Sequence, residues 1–320
     1  MDDAAVRPEP VTTPALIEEL EVQPDYDVQL ESLSQWQLAW RRFRKHRMAM
    51  VGSGIMLTMF AIAIVGPFLV PYDYYHLPAP DEIVYAGRPP SLAPFHPFGE
   101  TGGLQRDVFT LVINGAKWSL LIAVLATAIA TVLGAFVGGV AGYFGGRTDM
   151  VLMRLVDALL ALPLLFVILV FTRFLGAGSW FLVMLIFAAF GWLGTSRLVR
   201  SLMLSLREQD FVDAARAAGV GDLRIIFRHL LPNALSPIIV VATLSVAGVI
   251  IGEAFVSYLG FGVGVTTPTW GNTLAGSLNF ILVGNWWWAL FPGLFIVLTV
   301  LAINFIGDGL QDAIDPRARV

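Results

Sequence analysis

Six stretches of this chain are long and apolar enough to cross a lipid bilayer, and this constrains its fold more than any other feature. They cover approximately 48–70, 118–142, 151–175, 180–199, 236–259 and 286–307. Each approaches the roughly 20 helical residues needed to span a hydrocarbon core of about 30 Å. Four of the six carry no Asp, Glu, Lys or Arg in their interiors. Lipid offers the backbone no hydrogen-bond partner, so these runs must satisfy themselves as helices. A β-barrel is disfavoured because the runs lack apolar–polar alternation. The chain is 57% hydrophobic and only 14% charged, against roughly 25% charged in a soluble domain. The expected fold class is an all-α membrane protein with six transmembrane helices, its transmembrane domain spanning residues 48–310.

The lysines and arginines orient these spans. With the N-terminus in the cytoplasm, sixteen basic residues fall on the inner side and four (Arg88, Arg106, Lys117 and Arg173) on or near the outer side. Basic residues concentrate in cytoplasmic loops, so both termini and the polar segment around 200–235 are expected inside. Residues 1–33 hold nine acidic residues and a single basic one, Arg7. They read as a disordered acidic tail, too polar to offset its own ordering entropy. No cleavable signal peptide is apparent in it. Residues 34–47 begin with a capping box at Ser34–Gln37. Trp36, Trp40 and Phe43 then share a helical face, and Arg41, Arg42, Arg44, Lys45 and Arg47 crowd the rest. This is the pattern of an interfacial amphipathic helix, or of a plain cytoplasmic flank to the first span. On the outer side, 71–117 is proline-rich and turns helical from about Gln105. The run Trp286-Trp287-Trp288 reads as an interfacial anchor, or as part of a surface that receives a binding protein. Residues 311–320 form a short cytoplasmic tail.

Between the fourth and fifth runs lies a polar, alanine-rich insert, 208–233. Phe211, Ala214, Ala215 and Ala218 are expected on one face of a short helix, which Gly219 ends as a left-handed cap. Asp222 is placed to cap a second helix, and Pro232 to stop it. Small alanines let such a helix sink into a partner's groove, and Asp213, Arg216, Arg224 and Arg228 can ring that contact with charge. The bland alternative is an ordinary surface helix pair.

Charged and polar groups inside spans carry further expectations. Arg154 and Asp157 are spaced for a local ion pair. Glu253, deep in the fifth run, either lines a translocation path or makes an interhelical hydrogen bond. Asn304 is expected to bond another helix, Arg173 to snorkel outward, and Pro163 to bend the third span. Gly134, Gly138, Gly142 and Gly146 recur every four residues and suit close helix packing. The chain has only two lysines, Lys45 and Lys117, and neither sits in a phosphate-binding loop. Cysteine is absent, no zinc motif occurs, and Gly260–Gly264 lacks the strand and helix of a dinucleotide loop. No cofactor, metal or catalytic residue is therefore expected in this chain, and it is not expected to be an enzyme.

The order Asp213-Ala214-Ala215, Gly219, then Leu231-Pro232-Asn233 resembles the EAA loop of importer-type ABC permeases. His96-Pro97-Phe98-Gly99, Arg106-Asp107-Val108 and Gly115-Ala116-Lys117 resemble the outer segment of dipeptide/oligopeptide permeases. So do Arg154-Leu155-Val156-Asp157 with Pro163, Glu253-Ala254 with Tyr258 to Gly262, and Gly307-Asp308-Gly309-Leu310 with Asp315-Pro316-Arg317. The N-terminal extension and Pro268-Thr269-Trp270-Gly271 point to the C-type member of the pair. The sequence departs from the pattern at Asp213, where Glu is commoner, and at Glu100–Gln105. The resemblance implies a type I importer permease fold in the cytoplasmic membrane of a prokaryote. It implies a homologous second permease, two ATPase subunits that carry ATP and Mg²⁺, and an extracytoplasmic substrate-binding protein, with no nucleic acid involved. In that family Phe211, Asp213, Ala214, Ala215, Arg216, Ala218, Gly219, Arg224, Arg228 and Pro232 would meet the ATPase. Peptide is the implied cargo; relatives of the fold carry nickel chelates, glutathione or oligosaccharides. An ion-driven secondary transporter is the competing class, with Glu253 its only candidate relay.

Overall fold

A computed structural model describes residues 35–74, 87–175 and 178–314. The acidic tail, Ser34, the Trp36 and Arg173 side chains and the Asp315-Pro316-Arg317 stretch lie outside the described residues. The chain divides into two units, 1–38 and 39–320. Of the first, only the opening turn of a helix is described; the spans and their connections all belong to the second.

Among the described residues every regular element is helical, with three isolated β-bridges and no strand. In order these are α1 (Gln35–Lys45), α2 (Arg47–Leu69), α3 (Val108–Phe144), α4 (Gly146–Leu160), α5 (Leu164–Leu175), α6 (Trp180–Leu206), α7 (Asp210–Ala217), α8 (Asp222–Ile225), α9 (Leu231–Tyr258), α10 (Trp270–Gly276) and α11 (Trp286–Ile314). Five helices are long and apolar enough to cross a membrane: α2, α3, α6, the continuous run Asp222–Tyr258, and α11. The sixth expected span is broken. α4 and α5 meet at 73°, because Pro163 cannot donate to the helix ladder and excludes the α conformation before it. The third run is thus a bent pair instead of one straight rod. α3 begins at Val108, where Asp107 caps it by accepting from the Thr110 amide at 2.6 Å. α11 continues past 310 to Ile314.

α3 is the centre of the packing. One side meets α2, α9 and α11 around Val112, Ala116 and Leu120; the other meets α6. The α3–α6 seam is made by glycines. A Cβ on Gly134 would lie 2.7 Å from that of Thr195, one on Gly138 would run into the Ser196 carbonyl, and one on Gly142 would lie 2.7 Å from the Arg200 carbonyl. Gly146, the fourth of the series, is not part of this seam; it starts α4 at φ +52° with open space around it.

Ion pairs bind α4 to α6. Asp149 takes a two-pronged contact from Arg200, and Asp157 pairs with Arg197 at 2.5 Å. The local Arg154–Asp157 pair is therefore not formed; the facing helix presents a guanidinium that reaches Asp157 instead. Asn304 is half-buried and makes no hydrogen bond to another helix among the described residues. Near the other end of α11, Phe43 of α1 packs on Ala313, while Trp40 stays exposed and stacks on Phe43. His46 caps α2 by accepting from the Ala49 amide at 3.1 Å.

Ala at position 138 would force two backbones apart. Gly138→Ala is expected to destabilise the detergent-solubilised protein by about 1–3 kcal/mol, read as a lower thermal midpoint. Gly194→Ala, where nothing lies within 4 Å of the new Cβ, should leave the midpoint unchanged or slightly raised.

Candidate functional site

The polar insert folds as a helical hairpin seated under the ends of α3 and α6. α7 turns Val212 fully inward and Ala215 half inward, and leaves Phe211, Ala214 and Ala218 exposed. The expected four-residue face therefore loses Ala215, which packs with Val220 in the cluster beneath. Gly219 has φ +74°. The Gly219 amide donates to the Arg216 carbonyl at 2.9 Å, and Val220 to that of Ala215 at 3.1 Å. This is a Schellman ending, in which an L side chain at 219 would cost about 1–2 kcal/mol.

α8 departs from expectation. Gly221 is its N-cap and makes no side-chain cap bond. The Asp222 carboxylate accepts instead from the Tyr143 hydroxyl at 2.6 Å. Pro232 does not stop the helix. A five-residue π-turn, Ile226–Leu230, carries α8 into α9, with Pro232 in the first turn of α9. There the Asn233 side chain donates to the His229 carbonyl at 2.6 Å, and hairpin and span form one continuous 37-residue helix, Asp222–Tyr258.

No local motif marks Tyr143. It ends α3, 6% exposed, and no local pattern links it to a residue 79 positions away. Arg216 lies over its ring, 5.4 Å from the centroid, and pairs with Asp213 at 3.1 Å. The adjacent Tyr143 hydroxyl, more than any other group, raises the Arg216 guanidinium above the ordinary arginine value. Arg207, also unforeseen, donates to the Gly142 carbonyl at 3.1 Å and so caps the end of α3. Arg224 and Arg228 are exposed beside Leu223 and Phe227. The hairpin is thus an outward surface of small, apolar and cationic side chains on a rigid, buried footing (Val212, Ile225, Ile226, Leu230).

The far end of α9 holds Glu253, 2% exposed. Its Oε1 accepts from Ser257 at 2.7 Å and from Thr269 at 2.9 Å. Thr269 caps α10, whose Trp270 is fully buried and donates to the Val112 carbonyl of α3 at 3.0 Å. Of the two readings of Glu253, the geometry here is that of an interhelical hydrogen bond. Trp287 and Trp288 are likewise inside the fold, Trp287 donating to the Glu100 carbonyl at 3.0 Å. Only Trp286 is exposed, so the tryptophan run is largely a packing element rather than an interfacial anchor. Beside it His96 sits between Asp107 (2.9 Å) and Glu100 (3.0 Å) and stacks on Tyr72. Among the described residues no group of three His, Cys, Asp or Glu side chains is arranged to hold a metal ion.

Residues 130–320 match the family model for the binding-protein-dependent transport system inner membrane component. Residues 34–98 match that for the N-terminal TM domain of oligopeptide transport permease C. The chain is 41% identical to the dipeptide transport system permease protein DppC of Bacillus subtilis, over 91% of this chain and 89% of that one. It is 37% identical to the oligopeptide transport system permease protein OppC of the same organism, over 90% and 92%. With the OppC protein of Haemophilus influenzae the identity is 34%, over 92% of each chain.

Two substitutions probe the two ends of α8–α9. Tyr143→Phe removes one hydrogen bond worth about 1 kcal/mol, and amide hydrogen exchange across 210–225 should quicken about fivefold. Glu253→Ala leaves the Thr269 and Ser257 hydroxyls without their acceptor, at about 1–3 kcal/mol; loss of exchange protection should be confined to α10 and the end of α9.

Proposed function

The chain belongs to the family of binding-protein-dependent transport system inner membrane components, and on that premise we propose that it is one of two permease subunits of a peptide-importing ABC transporter, with the α7–α8 hairpin as the socket for its ATPase. The family places it as a multi-pass membrane permease. Peptide cargo follows from the substrates in the relatives' names, and cargo passes between this chain and a homologous second permease. ATP and Mg²⁺ are handled by two separate ATPase subunits on the cytoplasmic side. A substrate-binding protein delivers cargo on the other side. The sixteen-to-four distribution of basic residues supports a cytoplasmic hairpin and cytoplasmic termini, in the cytoplasmic membrane of a prokaryote.

The observation that carries this reading is the join between hairpin and span. An exposed small-residue face at Ala214 and Ala218 admits a groove of the ATPase, and Phe211, Asp213, Arg216, Arg224 and Arg228 surround it. Gly219 fixes the angle between the two short helices. From α8 through Pro232 the helix is unbroken to Tyr258, roughly 55 Å of rise at 1.5 Å per residue. A push on the hairpin is therefore passed along one continuous helix instead of deforming a loop. At the far end Glu253 ties that helix to α10, so ATP-driven closure can tilt the outer gate region. This reading makes Glu253 a strut inside the subunit. A carboxylate sealed by two hydroxyl donors supports ATP-driven rather than ion-driven transport.

In the complete transporter, Ala214→Arg should reach the membrane in normal amount and reduce ATP-dependent peptide uptake more than about tenfold. A cysteine introduced at Ala218, in a chain that has none, should resist an impermeant thiol reagent applied to intact cells. Undiminished uptake in the first variant, or labelling from outside in the second, would overturn the assignment.

A further inference from the structure

α2 and α3 meet closely at Gly66, where a Cβ would lie 2.5 Å from Ile113 Cγ2. Alongside that contact a groove of about 360 Å³ opens between the two helices. Ala63 and Leu120, both buried, form its floor, and Phe60, Ile64, Phe68 and Val124 stand exposed around it. Every residue that lines it is apolar except one, Lys117.

Lys117 is the only charged residue among the 37 of α3, and α2 has none after Arg47. It is exposed. Its ammonium stands 5.2 Å from the centroid of the Trp118 ring, and among the described residues it makes no ion pair. Trp118 in turn packs on Trp180, the first residue of α6, at 5.2 Å. Lys117 is therefore level with the end of a span, on the side of the molecule opposite the hairpin. From there the groove follows α3 through Leu121 to Val124, about 10 Å of helix at 1.5 Å per residue. A lysine so placed lays its stem along apolar surface and carries its charge toward the headgroup layer. An ionisable group alone on an apolar transmembrane surface calls for a partner.

We propose that this groove binds an anionic phospholipid, whose phosphate accepts from the Lys117 ammonium and one of whose acyl chains lies along Ile64, Leu121 and Val124. The chemistry selects the ligand. The apolar side chains of the wall offer hydrocarbon contact and no hydrogen bond, so a protein loop would leave its backbone groups unsatisfied there. A phospholipid brings a flexible hydrocarbon chain and a negatively charged acceptor in one molecule. The ammonium has three donors and no acceptor, and a fixed positive charge at the membrane surface favours lipids of net negative charge over zwitterions. This inference requires only that the chain spans a bilayer, so it stands apart from the transport reading above.

The test uses the complete transporter in lipid nanodiscs that contain a trace of phosphatidylglycerol with a diazirine in its acyl chain. After illumination, adducts are mapped by mass spectrometry. Adducts within 60–68 and 117–124 are compared with those on the exposed face of α11 (Leu290, Leu294, Val297), which serves as the internal reference for ordinary boundary lipid. Unlabelled phosphatidylglycerol should displace the groove adducts at about fivefold lower mole fraction than phosphatidylethanolamine, while the reference adducts respond equally to both lipids. Lys117→Gln should make the two competitors equal at the groove, and Lys117→Arg should keep the preference. Adducts on α11 but none in the groove would mean that a protein partner covers it, and would overturn the proposal. Equal competition by the two lipids in the unmodified chain would mean boundary lipid only, and would overturn it as well. So would a preference that survives Lys117→Gln or is lost in Lys117→Arg.

Discussion

Close approach of α3 and α6 along Gly134, Gly138 and Gly142 is the contact on which the rest of the architecture depends. Between helices surrounded by lipid there is little hydrophobic drive, since acyl chains are as apolar as leucine; association relies on packing and on hydrogen bonds. Glycines let the α3 backbone lie against Thr195, Ser196 and Met203 of α6. That brings the ends of both helices to one place. Tyr143, Val199 and Met203 then share a cluster with Val212, Ile225 and Leu230, which is the floor of the hairpin. A larger residue in the seam would disturb a site more than one helical turn away.

The second constraint is continuity. The π-turn at Ile226–Leu230, just before Pro232, absorbs the change from hairpin to span without a break. Extra residues in a helical turn are often found at functional sites. Here the turn rotates Phe227 and Arg228 to the surface while Ile226 and Leu230 remain buried. The proposed transmission path thus runs through backbone hydrogen bonds, with Tyr143–Asp222 fixing one end and Glu253–Thr269 the other. At that far end the buried tryptophans and His96 with its two carboxylates form a packed cap, where residue patterns alone suggest an irregular outer loop and a lipid-facing anchor.

Much of this was legible in residue patterns. The spans, the glycine seam and the left-handed cap at Gly219 follow from local rules that tertiary structure had little freedom to overrule. What could not be read was the identity of partners far apart in sequence. Asp157 chose Arg197 over Arg154, and Asp222 chose the Tyr143 hydroxyl over a capping role; both choices depend on which helix lies opposite. Trp287 and Trp288 looked like interfacial residues because composition cannot tell a belt from a buried cluster.

The sequence by itself determined that the chain lives in lipid, how many apolar segments it has, which side its charges favour and where its first short polar helix ends. These follow from transfer free energy and backbone hydrogen bonding, which act residue by residue. Only the tertiary structure decided that the third segment breaks by 73° at Pro163, that α8 runs on into α9, and that Asp222 meets the Tyr143 hydroxyl. Such features arise from the relative placement of helices, and distance in space is a property that no window along the chain contains.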